Sequence, residues 1–494
     1  MDSNSWEIVE SPNSDDKSEN LNDNKSLCEE EDNDESLQKS VKSMTQRYGQ
    51  NVKNYETEWR DLLMMISSES DLKKLKSLAV TGELKVSKFR SIIWNVLLGG
   101  LSTSPDSWKN ERAKQRSNYN EIKEKHILNP ERLKIAEGGD NPLSTSKNSI
   151  WNQHFRDTEL RNLIQQDVVR TNPNVDYYRK ENVQEIMINI LFCYARQFPT
   201  ICYRQGMHEI LAPLIFVLHC DHQSLCHIQE ETNISLDPIL VDVLNPKFIE
   251  EDSYFLFCQI MNSLELFYRI NDMTITESGQ LTNLPPKDDV QISPSKKSSE
   301  IEVVHQLNMV RDKIFAKQDL HLHNHLLKLE IPLALFGIRW LRLLFGREFN
   351  LLDLLILWDA IFGVGENLKF TYYIVVAMLI HIRDRLLSND YTSCLTLLMR
   401  YPTNADVSLI IRHALYMCEP EKYQCPPNAF VYVINSMKQR QNYPTRIYPP
   451  LANVAARPTL PSPRKMNDDI RKEAAKLTRM KSQNDEVVEG YALN

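Results

Sequence analysis

The stretch Ile164-Gln165-Gln166-Asp167-Val168-Val169-Arg170 places one arginine near the predicted end of an amphipathic helix. Because Pro173 pushes the residue before it out of helical geometry, we expect Arg170 in or just after the last helical turn. Asp167 lies three residues earlier on the same face and is expected to hold the guanidinium in one rotamer. The helix itself is predicted from apolar residues at three- and four-residue spacings. These residues are Ile150, Trp151, Phe155, Leu160, Leu163, Ile164 and Val168.

A second stretch, Tyr203-Arg204-Gln205-Gly206-Met207, is predicted to be a loop. Pro199 closes the preceding helix, and an apolar helical pattern resumes at Met207. Gly206 has no Cβ and therefore lets backbone and ligand approach closely. We expect Gln205, just before it, to be presented to a partner rather than packed.

The intervening chain allows the two stretches to meet. The helix predicted from Glu181 to Phe198 would be about 27 Å long, so a tight turn after Arg170 would leave Gln205 on the far side of the domain. The ten polar residues from Thr171 to Lys180 span about 33 Å when extended. The chain can therefore travel out along this segment and return by the helix, which would set Gln205 beside Arg170.

Each of these residues also has an ordinary structural interpretation. Arginines at helix C-termini are common because they complement the helix dipole, and Asp167 would then form only a helix salt bridge. Tyr203 would simply support its loop. The residues alone leave both interpretations open.

Four separated patterns occur in one order between about Gly82 and Leu387. They are Phe89-Arg90-x-x-x-Trp94-x-x-Leu97-Leu98-Gly99; Ile164-x-x-Asp167-x-x-Arg170-Thr171-x-Pro173; Tyr203-x-Gln205-Gly206-Met207; and Arg339-Trp340-x-x-Leu343-Leu344-Phe345-Gly346-Arg347-Glu348-Phe349 with Leu357-Trp358-Asp359-Ala360-Ile361-Phe362. Together they resemble the TBC-domain GTPase-activating proteins for Rab GTPases.

The resemblance implies an all-α, two-lobed helical domain and a GTPase activator that is not a hydrolase on its own. Arg170 and Gln205 would be the arginine and glutamine fingers, supplied in trans to a GTP-bound Rab. Asp167, Tyr203 and Gly206 would support the catalytic loop, without metal or cofactor. The rival interpretation is a non-catalytic helical scaffold that tethers Rab, coat and autophagy proteins.

Four further segments resemble most the branch of the family that acts on late-endosomal Rabs, with a Rab of the Rab-seven type suspected as substrate. They are Asn141-Pro142-Leu143-Ser144, Leu191-Phe192-Cys193-Tyr194-Ala195-Arg196, Leu218-His219-Cys220-Asp221-His222-Gln223, and Ala377-Met378-Leu379 with Ile382-Arg383-Asp384. The resemblance implies links to retromer subunits and to autophagy, and a cytoplasmic protein that is peripheral on endosomal and autophagosomal membranes.

Composition excludes several other classes of function. A formal charge of −8 argues against nucleic-acid binding, and the longest apolar runs are about half the roughly 20 residues of a membrane span. Membrane contact is therefore expected to be peripheral at most. The nine cysteines contain no Cys-x-x-Cys pair, which is typical of reduced thiols in the cytosol. Cys220, His222, Cys226 and His227 cluster in sequence, but no second pair lies at a zinc-finger spacing, and we expect no metal.

Residues 1–44 are predicted to be a disordered acidic arm, since the first 40 residues contain 13 Asp or Glu against 3 Lys. Within it, the stretch from Trp6 to Val9 resembles the hook that ubiquitin-like autophagy proteins bind. Such a segment adds a strand to a sheet edge while its two apolar side chains enter pockets. A chance tryptophan in a polar tail is the alternative.

The remaining chain divides into a helical lead-in at 45–80, the TBC domain at 81–388 with a mobile insertion at about 271–300, further helices at 389–425 and a mostly disordered tail at 426–494. The tail carries a narrow apolar stripe at 467–481 that predicts a short helix. No strand-period segment of useful length occurs, which favours an all-helical fold. Within the domain we expect one long helix from Val303 to Leu329, another from Lys369 to Leu387, and a kink or division at Pro213.

Overall fold

A computed structural model of the chain describes residues 52–127, 150–231, 236–268, 273–275, 281–283, 299–365, 368–402 and 405–426. All of them belong to one compact unit that is assigned to Met1–Lys438. The acidic arm with Trp6 and Val9, the tail with its predicted helix at 467–481, and most of the insertion lie outside the described residues.

The N-terminal half of the described chain is helical. Its helices are α1 (Val52–Ile66), α2 (Glu69–Thr81), α3 (Arg90–Leu97), α4 (Trp108–His126), α5 (Ile150–Val169), α6 (Asp176–Arg179), α7 (Glu181–Gln197), α8 (Met207–Glu231), α9 (Pro238–Val243) and α10 (Ile249–Tyr268). Single 3₁₀ turns are formed by Glu83–Val86, Pro105–Ser107 and Pro246–Phe248. The only strands among the described residues are β1 (Met273–Ile275) and β2 (Leu281–Asn283), which pair antiparallel with Thr274 opposite Thr282.

The C-terminal half is also helical. Its elements are α11 (Ser299–Met309), a π segment (Val310–Phe315), α12 (Ala316–Gln318), α13 (Leu320–Lys328), α14 (Ala334–Arg342), α15 (Leu351–Val364), α16 (Phe370–His381), α17 (Arg383–Leu387), α18 (Tyr391–Met399) and α19 (Val407–Cys418). The all-α class predicted from the sequence is confirmed. None of the helices in the described ranges is both long and apolar enough to cross a bilayer.

Two predicted helices are interrupted, and those predictions were wrong. The helix expected from Val303 to Leu329 contains the π segment and breaks at Asp319, where φ is −140°. Asp319 caps α13 by accepting a hydrogen bond from Leu322 N at 2.9 Å and also pairs with Arg383 Nε at 2.5 Å. The helix expected from Lys369 to Leu387 is similarly divided at Ile382. Apolar periodicity does not predict the break at Asp319, because the polar partner Arg383 lies 64 positions away.

Pro213, in contrast, does not divide its helix. Helix α8 runs continuously through it. Proline removes one backbone donor and crowds the preceding turn, but the neighbouring residues Ala212, Leu214 and Ile215 are fully buried in the core. Tertiary packing therefore stabilises a helix that the local sequence disfavours.

The core links the two halves of the described chain. A large hydrophobic cluster contains residues of most helices from α2 to α19, and a smaller one combines residues of α1, α2 and α3 with residues of α8 and α9. Helix α15 packs against α2, and α16 packs against α19. At the junction, Asp359 of α15 accepts a hydrogen bond from Trp94 Nε1 at 2.8 Å and pairs with Arg90 at 3.0 Å. All three side chains are buried, so this cluster joins α3 to α15 inside the protein.

A buried carboxyl on α8 gives the fold a pH dependence. Asp221 accepts a hydrogen bond from Ser91 N at 2.7 Å, and burial raises the pKa of Asp221 to about 8 despite that bond. The folded pKa lies above the unfolded value of about 3.9. Protonated Asp221 therefore contributes its full share to the free energy of unfolding below about pH 4. This contribution is lost as pH rises towards 8, by at most about 1.4 kcal/mol per pH unit.

We expect Asp221→Asn to flatten the decline in the free energy of unfolding between about pH 5 and 8, since the amide does not titrate. Denaturant titrations across this range measure the effect. Asp106→Asn, at an exposed position, is the control. An Asp221→Asn slope equal to that of the wild type would refute the assignment.

Candidate functional site

Helix α5 ends one residue before Arg170, within the range that Pro173 predicted. The chain turns there: Thr171 N donates to Val168 O at 3.0 Å, and Thr171 Oγ1 donates to Asp167 O at 3.1 Å. Asn172 adopts a positive φ of 39°, which ends the helical path. The Arg170 side chain is 53% exposed and projects from this end.

A buried carboxylate holds the exposed guanidinium. Arg170 Nη2 pairs with Asp167 Oδ1, and Asp167 Oδ2 accepts a hydrogen bond from Tyr203 Oη at 2.6 Å. Burial, followed by the hydrogen bond with Asp167, raises the pKa of Tyr203 far above its usual value, so the phenol remains a donor. Because charge-assisted hydrogen bonds are strong and directional, this chain restricts the orientation of Arg170.

The same contact brings the two sequence stretches together. The segment between Arg170 and helix α7 is not extended as predicted: residues 171–180 form successive turns and the four-residue helix α6. Tyr203 then meets Asp167, 36 positions earlier. The structure therefore unites Asp167, Arg170 and Tyr203 in one hydrogen-bonded group.

Gln205 lies two residues beyond Tyr203 and is exposed. No described residue hydrogen-bonds to its carboxamide. Gly206 follows with φ of 104°, and a Cβ at this position would overlap the Leu343 side chain. The loop from the C-terminal half thus packs directly against the backbone that presents Gln205.

A cleft of about 660 Å³ opens beside Arg170. One wall is the turn 170–175, and the opposite wall is the loop 346–351 with the start of α15. Gln205 is not among the residues that line it. The structure therefore places Arg170 at the cleft. Gln205 lies on the surface, three and four positions before His208 and Glu209, which line the cleft.

Three residues of this site were missed by the sequence analysis. Arg347 donates from Nε to both carboxylate oxygens of Glu209 at 2.9 Å, and Nη2 lies 2.5 Å from Glu209 Oε1. Buried His208 lies between Glu209 and Tyr203: its Nδ1 is 3.2 Å from Tyr203 Oη, and its Nε2 is 3.5 Å from Glu209. Arg347 belongs to a motif that carried the resemblance, but nothing local indicated its partner.

The Glu209 carboxylate is charged in this arrangement. Burial alone would raise the pKa of Glu209, but hydrogen bonds with His208 and Arg347 outweigh burial and hold that pKa below its usual value. The hydrogen bond with Glu209 in turn raises the pKa of Arg347. A bidentate pair of this kind fixes the loop that carries Arg347 against the start of α8.

The cysteine and histidine cluster does not form a metal site in the described residues. Cys220, His222, Cys226 and His227 all lie on α8, and no group of three His, Cys, Asp or Glu side chains lies at ligating distance anywhere in the described ranges.

Gly206→Ala is expected to lower the free energy of unfolding by about 2–4 kcal/mol, because it adds a left-handed backbone penalty to overlap with Leu343. Gly99→Ala is a matched control: its φ is 73°, but no atom lies within 4 Å of an added Cβ. It should cost only about 1–2 kcal/mol. Denaturant unfolding measures both, and equal losses would show that Leu343 does not restrict the loop.

Comparison with known proteins defines the class. The Rab-GTPase-TBC domain matches residues 87–284 and 293–387, and the chain belongs to the RabGAP-TBC family. Its relatives include TBC1 domain family member 5 of Homo sapiens, which is 39% identical over 393 residues, or 77% of this chain and 48% of the relative. The Mus musculus protein of the same name is 39% identical over 389 residues, or 77% of this chain and 46% of the relative. The chain thus spans about half the length of these relatives.

A solved structure agrees on the fold. The crystal structure of the Ypt/Rab-GAP domain of Gyp1p superposes with a TM-score of 0.51 over 75% of this chain and 100% of that one. Sequence identity is 17%, so this similarity supports the helical architecture alone.

Proposed function

We propose that this chain is a GTPase-activating protein for a Rab-family GTPase and that it supplies Arg170 and Gln205 in trans. The observation that carries the proposal is the Arg170–Asp167–Tyr203 group: an exposed guanidinium at a cleft, held by a buried carboxylate, in a chain of the RabGAP-TBC family. A surface arginine that only complements a helix dipole has no need of such support.

Arg170 would neutralise charge during phosphoryl transfer. This reaction requires little covalent chemistry from the protein but does require a positioned nucleophile and stabilised phosphate oxygens. The planar guanidinium can donate several hydrogen bonds at once, which an ammonium group cannot do in the same geometry. Since Asp167 already restricts the side chain, less conformational entropy is lost when Arg170 meets the phosphates.

Gln205 would orient the attacking water, a task that many activators leave to the glutamine of the GTPase. Its exposure and the absence of a hydrogen-bond partner among the described residues leave the carboxamide available to a docked GTPase. Gly206 and Tyr203 would position it, the first by close contact with Leu343 and the second by its bond to Asp167.

The partner would be a GTP-bound, late-endosomal Rab of the Rab-seven type, met by a protein that is peripheral on endosomal or autophagosomal membranes. Support comes from the segments that resemble the late-endosomal branch and from identity to TBC1 domain family member 5. Retromer subunits and a ubiquitin-like autophagy protein, the latter through Trp6 and Val9, are the further partners that this resemblance implies.

The test is single-turnover phosphate release from a panel of GTP-loaded Rabs, with wild type, Arg170→Ala and Gln205→Ala. We expect one Rab, or a small group, to be strongly stimulated by the wild type and hardly by either variant. Binding to that Rab should largely survive, because the lost interactions form mainly in the transition state. Stimulation that persists in both variants would favour the scaffold instead.

Tyr203→Phe should reduce the stimulated rate by roughly tenfold, since Asp167 and Arg170 lose their support. It should also lower stability by about 1.5–3 kcal/mol, the scale of a hydrogen bond to a charged group. Phosphate release and denaturant unfolding measure the two effects. Tyr401→Phe is the control, because Tyr401 Oη donates to Met378 O in the core at 3.0 Å, in the C-terminal half. An unchanged rate in Tyr203→Phe would remove Tyr203 from the site.

A further inference from the structure

A second cavity lies between α10, α11, the π segment and the start of α16. We call it the α10–α11 groove; its volume is about 760 Å³. It shares no lining residue with the cleft beside Arg170. Its volume falls within the range of about 300–1,000 Å³ that is typical of small-molecule sites.

The interior of the groove is apolar. Its deepest residues, Leu264, Leu341 and Leu344, are at most 1% exposed. Phe267 and Met309 form half-buried walls above them. Removing such surface from water is favourable, so the groove suits a hydrocarbon chain.

The rim of the groove is basic. His305, Lys313 and Lys369 are exposed lining residues, and none of the described lining residues carries a carboxylate. No described Asp or Glu lies within ion-pair distance of either lysine. Basic groups on one rim, with no carboxylate partner among the described residues, favour an anion at this position.

The π segment contributes directly to this wall. Three of its six residues, Val310, Lys313 and Ile314, line the groove. π turns are rare and frequently occur at functional sites. This segment therefore supplies both apolar surface and a cation at the same place.

We propose that the α10–α11 groove binds a single-chain anionic amphiphile. The hydrocarbon tail would lie on Leu264, Leu341 and Leu344, and its carboxylate or phosphate would meet Lys313 and Lys369 at the rim. An acidic peptide could share the charge complementarity, but the buried apolar floor favours an extended tail. This site is separate from the proposed Rab site and does not depend on it.

The first test is calorimetric titration of the whole chain with monomeric oleate. Saturable binding at one site is expected, with affinity at least tenfold lower for the double variant Lys313→Glu, Lys369→Glu. The matched control is Lys109→Glu, Lys328→Glu, which reverses two exposed lysines outside the groove and should bind as the wild type does. Met309→Trp, which fills the groove and keeps its rim, should also weaken binding at least tenfold.

Two further experiments test the charge of the ligand's head group and whether the ligand is a free amphiphile or a membrane lipid. Oleyl phosphate should bind as oleate does, whereas neutral oleyl alcohol should bind at least tenfold more weakly. Vesicles of phosphatidylcholine with phosphatidylserine, offered without free amphiphile, should not replace oleate. If only those vesicles bind, the rim is an electrostatic membrane contact and the proposal fails. It fails equally if oleate binding is unsaturable, if the rim and control variants behave alike, or if an acidic helical peptide binds through the rim and oleate does not.

Discussion

If Arg170 acts as proposed, Arg170→Ala is expected to lower the stimulated rate of GTP hydrolysis by about 10³ to 10⁵, the scale known for arginine fingers of GTPase activators. This corresponds to roughly 4–7 kcal/mol of barrier. The loss would be so large because the guanidinium would meet charge that develops on the phosphate oxygens, at an interface that the docked Rab would shield from water. The measurement is single-turnover phosphate release from the Rab that the panel identifies.

Arg170→Lys should lose nearly as much of the stimulated rate as Arg170→Ala. An ammonium group cannot reproduce the planar guanidinium, which would donate to Asp167 and to phosphate at once. Arg60→Ala is the control: this arginine is 67% exposed and pairs with Glu56 on the same helix. This variant should stimulate GTP hydrolysis as strongly as the wild type does. A lysine variant with near wild-type stimulation would show that Arg170 acts only as a diffuse positive charge.

The second large effect concerns stability. Asp359→Ala should lower the free energy of unfolding by about 3–5 kcal/mol, because it leaves the buried Arg90 guanidinium without its counter-charge. The Trp94 indole would lose its acceptor as well, so both side chains that α3 contributes to this cluster would be unpaired. Denaturant unfolding of the wild type and the variant measures the difference.

Two further variants separate the charge from the packing. Arg60→Ala breaks an exposed ion pair and should cost less than about 1 kcal/mol. Replacing both partners, as Arg90→Met with Asp359→Leu, should restore much of the stability, because no buried charge is left uncompensated. If the double replacement is as unstable as Asp359→Ala, the loss comes from the shape of the core and not from an unpaired arginine.

Local signals predicted a large part of this structure. Pro173 and the apolar spacing placed the end of α5 beside Arg170, and helix α7, predicted from Glu181 to Phe198, runs from Glu181 to Gln197. Pro199 and Gly206 bounded the loop that presents Gln205. These features depend on residues within a few positions of one another, so the sequence contains the information directly.

Other features depend on partners far apart in the chain. The break at Asp319 accompanies a pair with Arg383, and Pro213 remains helical because the core surrounds it. Arg347 reaches Glu209 across 138 positions. No local pattern specifies which distant groups will meet.

The sequence by itself determined an all-α chain, its family, and the arginine and glutamine proposed as fingers, since helical periodicity and short motifs are local properties. Only the tertiary structure decided that Tyr203 holds Asp167, that Arg347 and Glu209 bound the cleft, and that basic side chains surround an apolar groove elsewhere. These arrangements arise when helices distant in sequence pack around one core and bring their polar side chains within hydrogen-bonding distance.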